Sequence, residues 1–162
     1  EYLSVVPKAA SKGMVTGVGI LPIRDGKYGL IRIYRHPLGR WAWEIPRGMV
    51  DPGETANHAA LRELREETGF ALRTSRLSTL GSTAPAPALV AGRAKVYSAQ
   101  IDISDEIGPI EHERGHGEIR FFGREEIAKL ISRGEIEDAS TMAALLMCAI
   151  KDGSWAKRGT ST

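Results

Sequence analysis

The stretch from Gly48 to Phe70, GMVDPGETANHAALRELREETGF, constrains this chain more than any other segment. Its second half has helical periodicity, and Glu63, Glu66 and Glu67 share one stripe because each helical residue turns about 100°. Relative to Glu63, Glu66 lies roughly 60° to one side and Glu67 roughly 40° to the other. Carboxylates this close repel one another and raise one another's pKa. The stripe therefore needs a compensating cation, and hard divalent cations such as Mg²⁺, which commonly serve phosphate chemistry, prefer such ligands.

The rest of the stretch indicates how this helix begins, ends and packs. Thr55 is a suitable N-cap, and Gly69 follows the helix as a C-cap glycine does. The segment Gly48–Glu54 contains two glycines and a proline and is predicted to form a tight loop. Such a loop can turn a backbone carbonyl toward a metal on the helix. Three apolar residues on the opposite helix face are expected to pack on a core: Ala60, Leu61 and Leu64.

Composition and charge are those of an ordinary globular chain with one domain. Its 162 residues suffice for a real core, and 42% hydrophobic and 26% charged residues are usual for soluble proteins. The net charge of +2, without a long basic run, argues against a nucleic-acid partner. The apolar runs are too short to span a bilayer, which argues against a membrane protein. Cys148 is the only cysteine, so no internal disulfide forms, and a cytoplasmic location fits.

The alternation of strand and helix signals predicts an α/β fold. Asp25-Gly26 marks a hairpin turn between the first two strands. Two further helices are predicted, one over Arg124–Ser132 and one from Asp138 or Ser140 to about Lys151. Six segments have strand character: Met14–Leu21, Tyr28–Tyr34, Trp41–Ile45, Ala71–Ser82, Arg93–Ile103 and Glu118–Phe122.

The Gly48–Phe70 stretch resembles the Nudix box at every specified position. The pattern is G-x5-E-x7-R-E-U-x-E-E-x-G-U, with U a bulky apolar residue, and here it reads Gly48, Glu54, then Arg62–Phe70. Nine specified positions at fixed spacing make a chance match rare. The resemblance implies the Nudix fold, a mixed β-sheet sandwiched between α-helices, for residues 14–152. It leaves residues 1–13 as a remnant of an N-terminal strand region and 153–162 as a flexible tail.

The resemblance also assigns roles within the box. It implies that Glu63, Glu66 and Glu67 bind Mg²⁺ or Mn²⁺, with help from a backbone carbonyl at Gly48, and that Glu66 and Glu67 belong to the catalytic group. By the same resemblance Glu54 and Arg62 form a supporting pair that ties the loop to the helix; a planar guanidinium matches a carboxylate well. The plainer alternatives are solvated helix charges and an exposed salt bridge of little energetic value.

Nudix enzymes differ in where the general base lies, and in the ADP-ribose pyrophosphatase branch it commonly comes from a late loop. The matching segment here is IEHERGHGEI, which contains Glu111, Glu113 and Glu118. A carboxylate on a mobile loop can swing in and take a proton from water. Glu118 and Glu113 are the first candidates. The alternative for each is an ordinary exposed glutamate.

Three residues outside the box are candidates for substrate contact. Arg35 ends a strand at the place where the ADP-ribose branch carries a substrate-binding arginine, and its alternative is an ordinary surface charge. Trp43, or its neighbour Trp41, could stack on a base, although core packing is the commoner fate of a tryptophan in a strand. Pro85 lies sixteen positions after Gly69, where that branch has a proline, and its alternative is a turn proline.

The substrate expectation depends on the same branch resemblance. The segments Trp43–Pro46 and Gly134–Thr141 also resemble the ADP-ribose branch, whereas the signatures of NADH, diadenosine-polyphosphate and coenzyme A subtypes are missing. In that branch an N-terminal strand region swaps across a homodimer, and only a short segment precedes the first core strand here. Dimerisation and adenine recognition are therefore left open.

The function implied is that of a metal-dependent hydrolase acting on a nucleoside diphosphate derivative. The best single substrate is ADP-ribose, which would give AMP and ribose 5-phosphate. One alternative is hydrolysis of another nucleotide sugar or a dinucleotide. A second alternative is a non-catalytic Nudix sensor that binds ADP-ribose; sensors have often lost a box carboxylate, and this chain retains all of them.

Overall fold

The structure, a computed structural model, describes Val5, residues 14–105, Gly108 and residues 116–155. Three helices lie in these segments: α1 Ala56–Thr68, α2 Arg124–Ser132 and α3 Ala139–Lys151. Seven strands accompany them: β1 Val15–Arg24, β2 Lys27–Arg35, β3 Arg40–Glu44, β4 Arg47–Met49, β5 Leu77–Thr83, β6 Arg93–Gln100 and β7 His116–Phe122.

The strands form one mixed sheet around β1. The order is β3-β2-β1-β6-β5, with β4 also paired to β1 and β7 to β2. Only the β1–β6 pairing is parallel among the described strands. The predicted hairpin turn between β1 and β2 is present, with Asp25 and Gly26 at φ values of 51° and 71°. Two positive φ angles give the primed turn whose twist suits a hairpin.

Each face of the sheet carries its own core and its own helices. On one face, residues of α1 such as Ala60 and Leu64 are fully buried against Val18 and Ile20 of β1. On the other face, α2 and α3 cover a second buried cluster that includes Trp43 and several other large side chains. The expected mixed sheet between helices is therefore confirmed. Burial on both faces also explains why β1 is continuously apolar rather than alternating.

Two segments differ from the sequence expectation. The strand predicted over Ala71–Ser82 begins only at Leu77, because the chain first makes a 3₁₀ turn at Thr74–Arg76 after burying Phe70. The predicted tight loop Gly48–Glu54 begins within the short strand β4, which covers Arg47–Met49 and pairs with β1 at Gly17–Gly19. This pairing is a long-range contact and has no local signal in a three-residue segment. It brings the start of the box onto the centre of the sheet.

The two ends of the chain are described only in part. Val5 forms an isolated parallel bridge with Val90, and the rest of residues 1–13 lies outside the described part. In the predicted tail, residues 153–155 are described and 156–162 are not. Within the described residues, no helix combines the length and the apolar character needed to cross a membrane.

Candidate active site

Arg62 is the centre of a carboxylate cluster on α1. Its Nε and Nη2 donate to Glu54 at 3.2 and 3.0 Å, and its Nη1 donates to Glu63 at 2.8 Å and Glu66 at 3.0 Å. Nη2 also donates to the carbonyl of Met49 at 2.9 Å. These bonds tie the box loop to the helix, as the predicted support role requires. The Arg62 guanidinium also supplies the positive charge that the crowded carboxylates need.

Glu67 is the buried member of the stripe. Its exposed fraction is 9%, and it accepts a hydrogen bond of 2.8 Å from the backbone N–H of Arg47. Burial raises the pKa of Glu67 to about 8; the Arg47 N–H and the charges of Arg47 and Arg35 oppose this shift, and the charge of Glu63 adds to it. A divalent cation that binds this carboxyl group at neutral pH displaces its proton into solvent.

Gly48 lets the loop backbone approach the carboxylates. A Cβ atom at this position would lie 1.9 Å from Oε1 of Glu63, a distance that real Cβ atoms do not show. On the other side, the carbonyl of Gly48 lies against Gly17 of β1. A side chain at position 48 would therefore fit only if the Glu63 carboxylate moved.

The donor set fits a hard divalent cation. Glu63, Glu66 and Glu67 supply carboxylate oxygens from one helix stripe, and the Glu63 carboxylate fills the space that a side chain at Gly48 would take. In the described part of the chain, no three Asp, Glu, His or Cys side chains are arranged so that they could hold a metal ion together. The reason is visible, since Arg62 holds Glu63 and Glu66 while the Arg47 backbone holds Glu67. A cation would have to compete with Arg62 for the carboxylates of Glu63 and Glu66. The assignment of the metal ligands stays a prediction.

Gly48→Ala is expected to lower both stability and Mg²⁺ affinity, because the new methyl group must displace Glu63. The displaced atoms are the end of a flexible side chain, so the loss of stability is expected at the lower end of the range of about 1–3 kcal/mol that overpacking costs. Thermal melting with and without Mg²⁺ measures both effects. Gly123→Ala is the matched control, because its Cβ would come no closer than 3.5 Å to Glu126. Equal losses in the two variants would contradict the role given to Gly48.

A cavity of about 420 Å³ opens beside Glu67 and β1. Its lining includes residues that the sequence treated separately: Gly48 and Glu67 from the box, and Arg35 and Pro85 from outside it. It also includes Arg47, Thr83 and Arg93, which the sequence analysis did not select. The structure therefore brings the predicted substrate residues Arg35 and Pro85 to the box carboxylate.

Arg35 and Arg47 of this cavity belong to an arginine–carboxylate cluster that sequence reasoning missed, and its acidic members Glu44 and Asp138 line a neighbouring cavity. Glu44 is 2% exposed, and its two oxygens accept bonds from Arg35 at 2.8 and 2.6 Å. Arg47 donates to the same carboxylate at 2.7 Å and lies 3.4 Å from Asp138. Burial raises the pKa of Glu44, but the hydrogen bonds and charges of the two arginines outweigh it and hold the pKa below its usual value. The sequence signal for this cluster was Glu44 itself, a glutamate between the apolar residues Trp43 and Ile45.

The prediction that Trp43 contacts substrate is wrong. Its side chain is 4% exposed and packs edge-on against Phe122, with ring centroids 4.8 Å apart. A ring buried in this way has no free face for a base. Trp41, its neighbour in the strand, is 44% exposed and forms an edge contact with Tyr34. The alternative of core packing therefore holds for Trp43.

The structure does not bring Glu118 to the cavity. This residue lies on β7, beside an irregularity in the pairing with β2; its side chain is exposed and takes no part in the cavity lining. Glu113 and Glu111 lie outside the described residues. The identity of the general base therefore stays a prediction.

Glu118→Gln is expected to retain turnover close to that of the unmodified enzyme, because the side chain is exposed and does not line the cavity. Glu113→Gln, the sequence candidate in the preceding loop, is expected to lose activity on the scale of a general base, about 10²- to 10⁴-fold. Initial rates at saturating substrate and Mg²⁺ measure both. The reverse order of losses would return the role to Glu118.

Comparison with known proteins agrees with this site. A family model described as the NUDIX domain matches residues 14–145. An α/β sandwich with a complete box on its first helix defines a pyrophosphohydrolase of the Nudix type. The chain belongs to the Nudix family, and its relatives place it in the ADP-ribose pyrophosphatase-like branch.

The relatives are similar over most of the chain. An ADP-ribose pyrophosphatase of Bacillus subtilis (strain 168) is 30% identical over 147 residues, which is 87% of this chain and 76% of the relative. An ADP-ribose pyrophosphatase of Mycobacterium tuberculosis is 34% identical over 133 residues; the match covers 80% of this chain but only 62% of the relative. A solved structure of an ADP compounds hydrolase superposes with a TM-score of 0.71 at 25% identity, covering 88% of this chain and 74% of that one.

Proposed function

We propose that this enzyme hydrolyses the diphosphate of ADP-ribose to give AMP and ribose 5-phosphate, with Mg²⁺ or Mn²⁺ as its cofactor. The observation that carries the proposal is the single cavity lined by Glu67, Gly48, Arg35 and Pro85. It joins the carboxylate of the box to an arginine and a proline that mark the ADP-ribose branch. Two similar proteins named ADP-ribose pyrophosphatase support the same substrate.

Each group of residues has a distinct task in the proposed reaction. Glu63, Glu66 and Glu67 hold the cation, which when bound neutralises diphosphate oxygens and orients water for attack at phosphorus. Arg62 and Glu54 keep the loop and helix in register through their paired hydrogen bonds. Arg35 lines the cavity, where its guanidinium can donate to phosphate oxygens.

The test incubates each compound of a substrate panel with the enzyme in Mg²⁺ and in Mn²⁺. The products are then treated with a phosphatase, and the inorganic phosphate released is measured. The panel contains ADP-ribose, NADH, diadenosine polyphosphates, nucleotide sugars and nucleoside triphosphates, and the Glu67→Gln variant serves as the blank. Preferential cleavage of ADP-ribose supports the proposal. Preferential cleavage of another compound retains the enzyme class and rejects the substrate. Binding of ADP-ribose without cleavage of any compound would favour the sensor.

A further inference from the structure

Arg47 carries a hydrogen-bond donor that the protein leaves unsatisfied. Its guanidinium bonds through Nη2, which lies 2.7 Å from Glu44 and 3.4 Å from Asp138. Its Nε is buried and has no hydrogen-bond partner. Among the described residues, the only other buried side-chain polar atom without a partner is Oγ1 of Thr83. Both residues line the cavity that contains Glu67.

An unsatisfied buried donor is costly, so its position is informative. A buried polar group that has lost water without gaining a partner is destabilising, and each such group in a native protein calls for an explanation, such as a catalytic role or a water or ion that binds there. Here the two unpaired atoms belong to residues that line one cavity, rather than to residues in separate parts of the molecule. A ligand with several acceptor oxygens would satisfy both.

Arg47 and Arg35 differ in what they can still offer a ligand. Arg35 directs both Nε and Nη2 at Glu44, at 2.8 and 2.6 Å, so this edge of its planar fork is already used. Arg47 is held through one terminal nitrogen, and its Nε remains available. Two arginines and two carboxylates, Glu44 and Asp138, make the cluster neutral as a whole. Recognition there depends on directed N–H donors more than on excess charge.

We propose that Arg47 binds the substrate diphosphate by donating its Nε–H to a phosphate oxygen, and that Glu44 and Asp138 are positioning residues that orient its guanidinium. This inference depends on the proposed function, since it needs a diphosphate beside Glu67. The backbone of Arg47 already contacts Glu67 at 2.8 Å, so one residue links the box carboxylate to the phosphate. A purely structural Arg47 would brace β4 and would not contact the ligand.

The experiment measures binding of α,β-methylene ADP-ribose, a diphosphate analogue that resists cleavage, by calorimetry in EDTA. The unmodified protein is compared with Arg47→Met, Arg47→Lys and Arg133→Met. Loss of a charge-assisted hydrogen bond is expected to weaken binding by about tenfold or more in both Arg47 variants. Lysine retains the charge but lacks the planar fork, so it should not rescue binding. Arg133 is the matched control, because its side chain is 68% exposed and pairs loosely with Glu135.

A second readout separates a ligand contact from a structural role. The ¹Hε–¹⁵Nε NMR signal of Arg47, assigned by its loss in Arg47→Lys, is expected to shift as the analogue is titrated into the unmodified protein. This measurement needs no variant to be folded except for assignment, and thermal melting checks that variant.

The outcomes distinguish the two proposals. If the unmodified protein binds the analogue while the Arg47 variants bind equally well and the Nε signal does not move, the role of Arg47 is overturned and the proposed function stands. If the unmodified protein neither binds the analogue nor cleaves any compound of the panel, the proposed function fails and this inference fails with it.

Discussion

Replacing Glu67 by Gln is expected to remove catalysis while making the metal-free protein more stable at pH 8. Turnover at saturating Mg²⁺ should fall by at least about a hundredfold, a loss that even outer partners of metal ligands can cause. Glutamine is nearly isosteric, and its amide oxygen can still accept the 2.8 Å bond from the Arg47 backbone. Loss of packing therefore does not explain a loss of activity.

The gain in stability follows from the pKa of Glu67. Burial raises this pKa from 4.5 to about 8. Between these values the folded protein keeps a proton that the unfolded chain has released, so the stability of the metal-free protein falls as pH rises through this window. By pH 8 the penalty is a few kcal/mol. Glutamine carries no charge at any pH and removes the penalty.

Thermal melting in EDTA from pH 5 to pH 8 measures this effect. The melting temperature of the unmodified protein should fall toward pH 8 relative to that of Glu67→Gln, and the two curves should meet near pH 5. Glu125→Gln is the control, because Glu125 is exposed on α2. Full turnover in Glu67→Gln would reject the metal assignment; parallel melting curves would reject the raised pKa.

Binding of Mg²⁺ gives a third view of the same group. Because Glu67 holds a proton in the metal-free protein at pH 7, its coordination to a cation should release about one proton. Calorimetric titration in two buffers of different ionisation enthalpy measures the number released. No proton release in the unmodified protein would place the cation elsewhere.

The box helix could be predicted because its signals are local. Thr55 caps its start by accepting from the His58 N–H at 3.3 Å, and Gly69 ends it at a φ of 78°. The apolar face and the carboxylate stripe follow from helical periodicity alone. The predicted metal-binding half of the site therefore lies within one continuous segment that can be interpreted without tertiary contacts.

The other half of the site could not be predicted because it is assembled across the chain. Glu44, Arg47 and Asp138 lie on β3, β4 and just before α3, and they meet only when β4 pairs with β1. Trp43 shows the same limit in reverse, since an aromatic strand residue suits either a base or a core. Packing against Phe122 decided its role, and that contact joins β3 to β7.

Glu44→Gln is expected to cause a large loss of stability. The carboxylate is 2% exposed and is bonded to Arg35 and Arg47, so the neutral amide removes the counter-charge that both guanidinium groups share and leaves Arg47 with Asp138 at 3.4 Å. Removing one partner of a buried ion pair typically costs about 3–5 kcal/mol. Affinity for a diphosphate ligand should fall as well, since both arginines lose their orientation.

The pH dependence of this contribution runs opposite to that of Glu67. The arginines hold the pKa of Glu44 below its usual 4.5 despite its burial. Its stabilising effect is therefore present above about pH 4.5 and is lost as pH falls through the lower folded-state value. Urea denaturation of Glu44→Gln and the unmodified protein should differ most near neutral pH and converge in acid. A constant difference between pH 3 and pH 7 would contradict the ion-pair explanation.

A double variant separates lost charge from lost packing. Glu44→Leu combined with Arg35→Met replaces the bidentate pair by apolar side chains, and such replacements are often close to neutral. The double variant should therefore recover part of the stability lost in Glu44→Gln, although Arg47 still needs Asp138 as its partner at 3.4 Å. Ligand affinity should stay low, because Arg47 has lost the carboxylate that orients it. Glu135→Gln, at a side chain that is 42% exposed, is the control. Recovery of stability together with affinity would mean that Glu44 does not position the arginines.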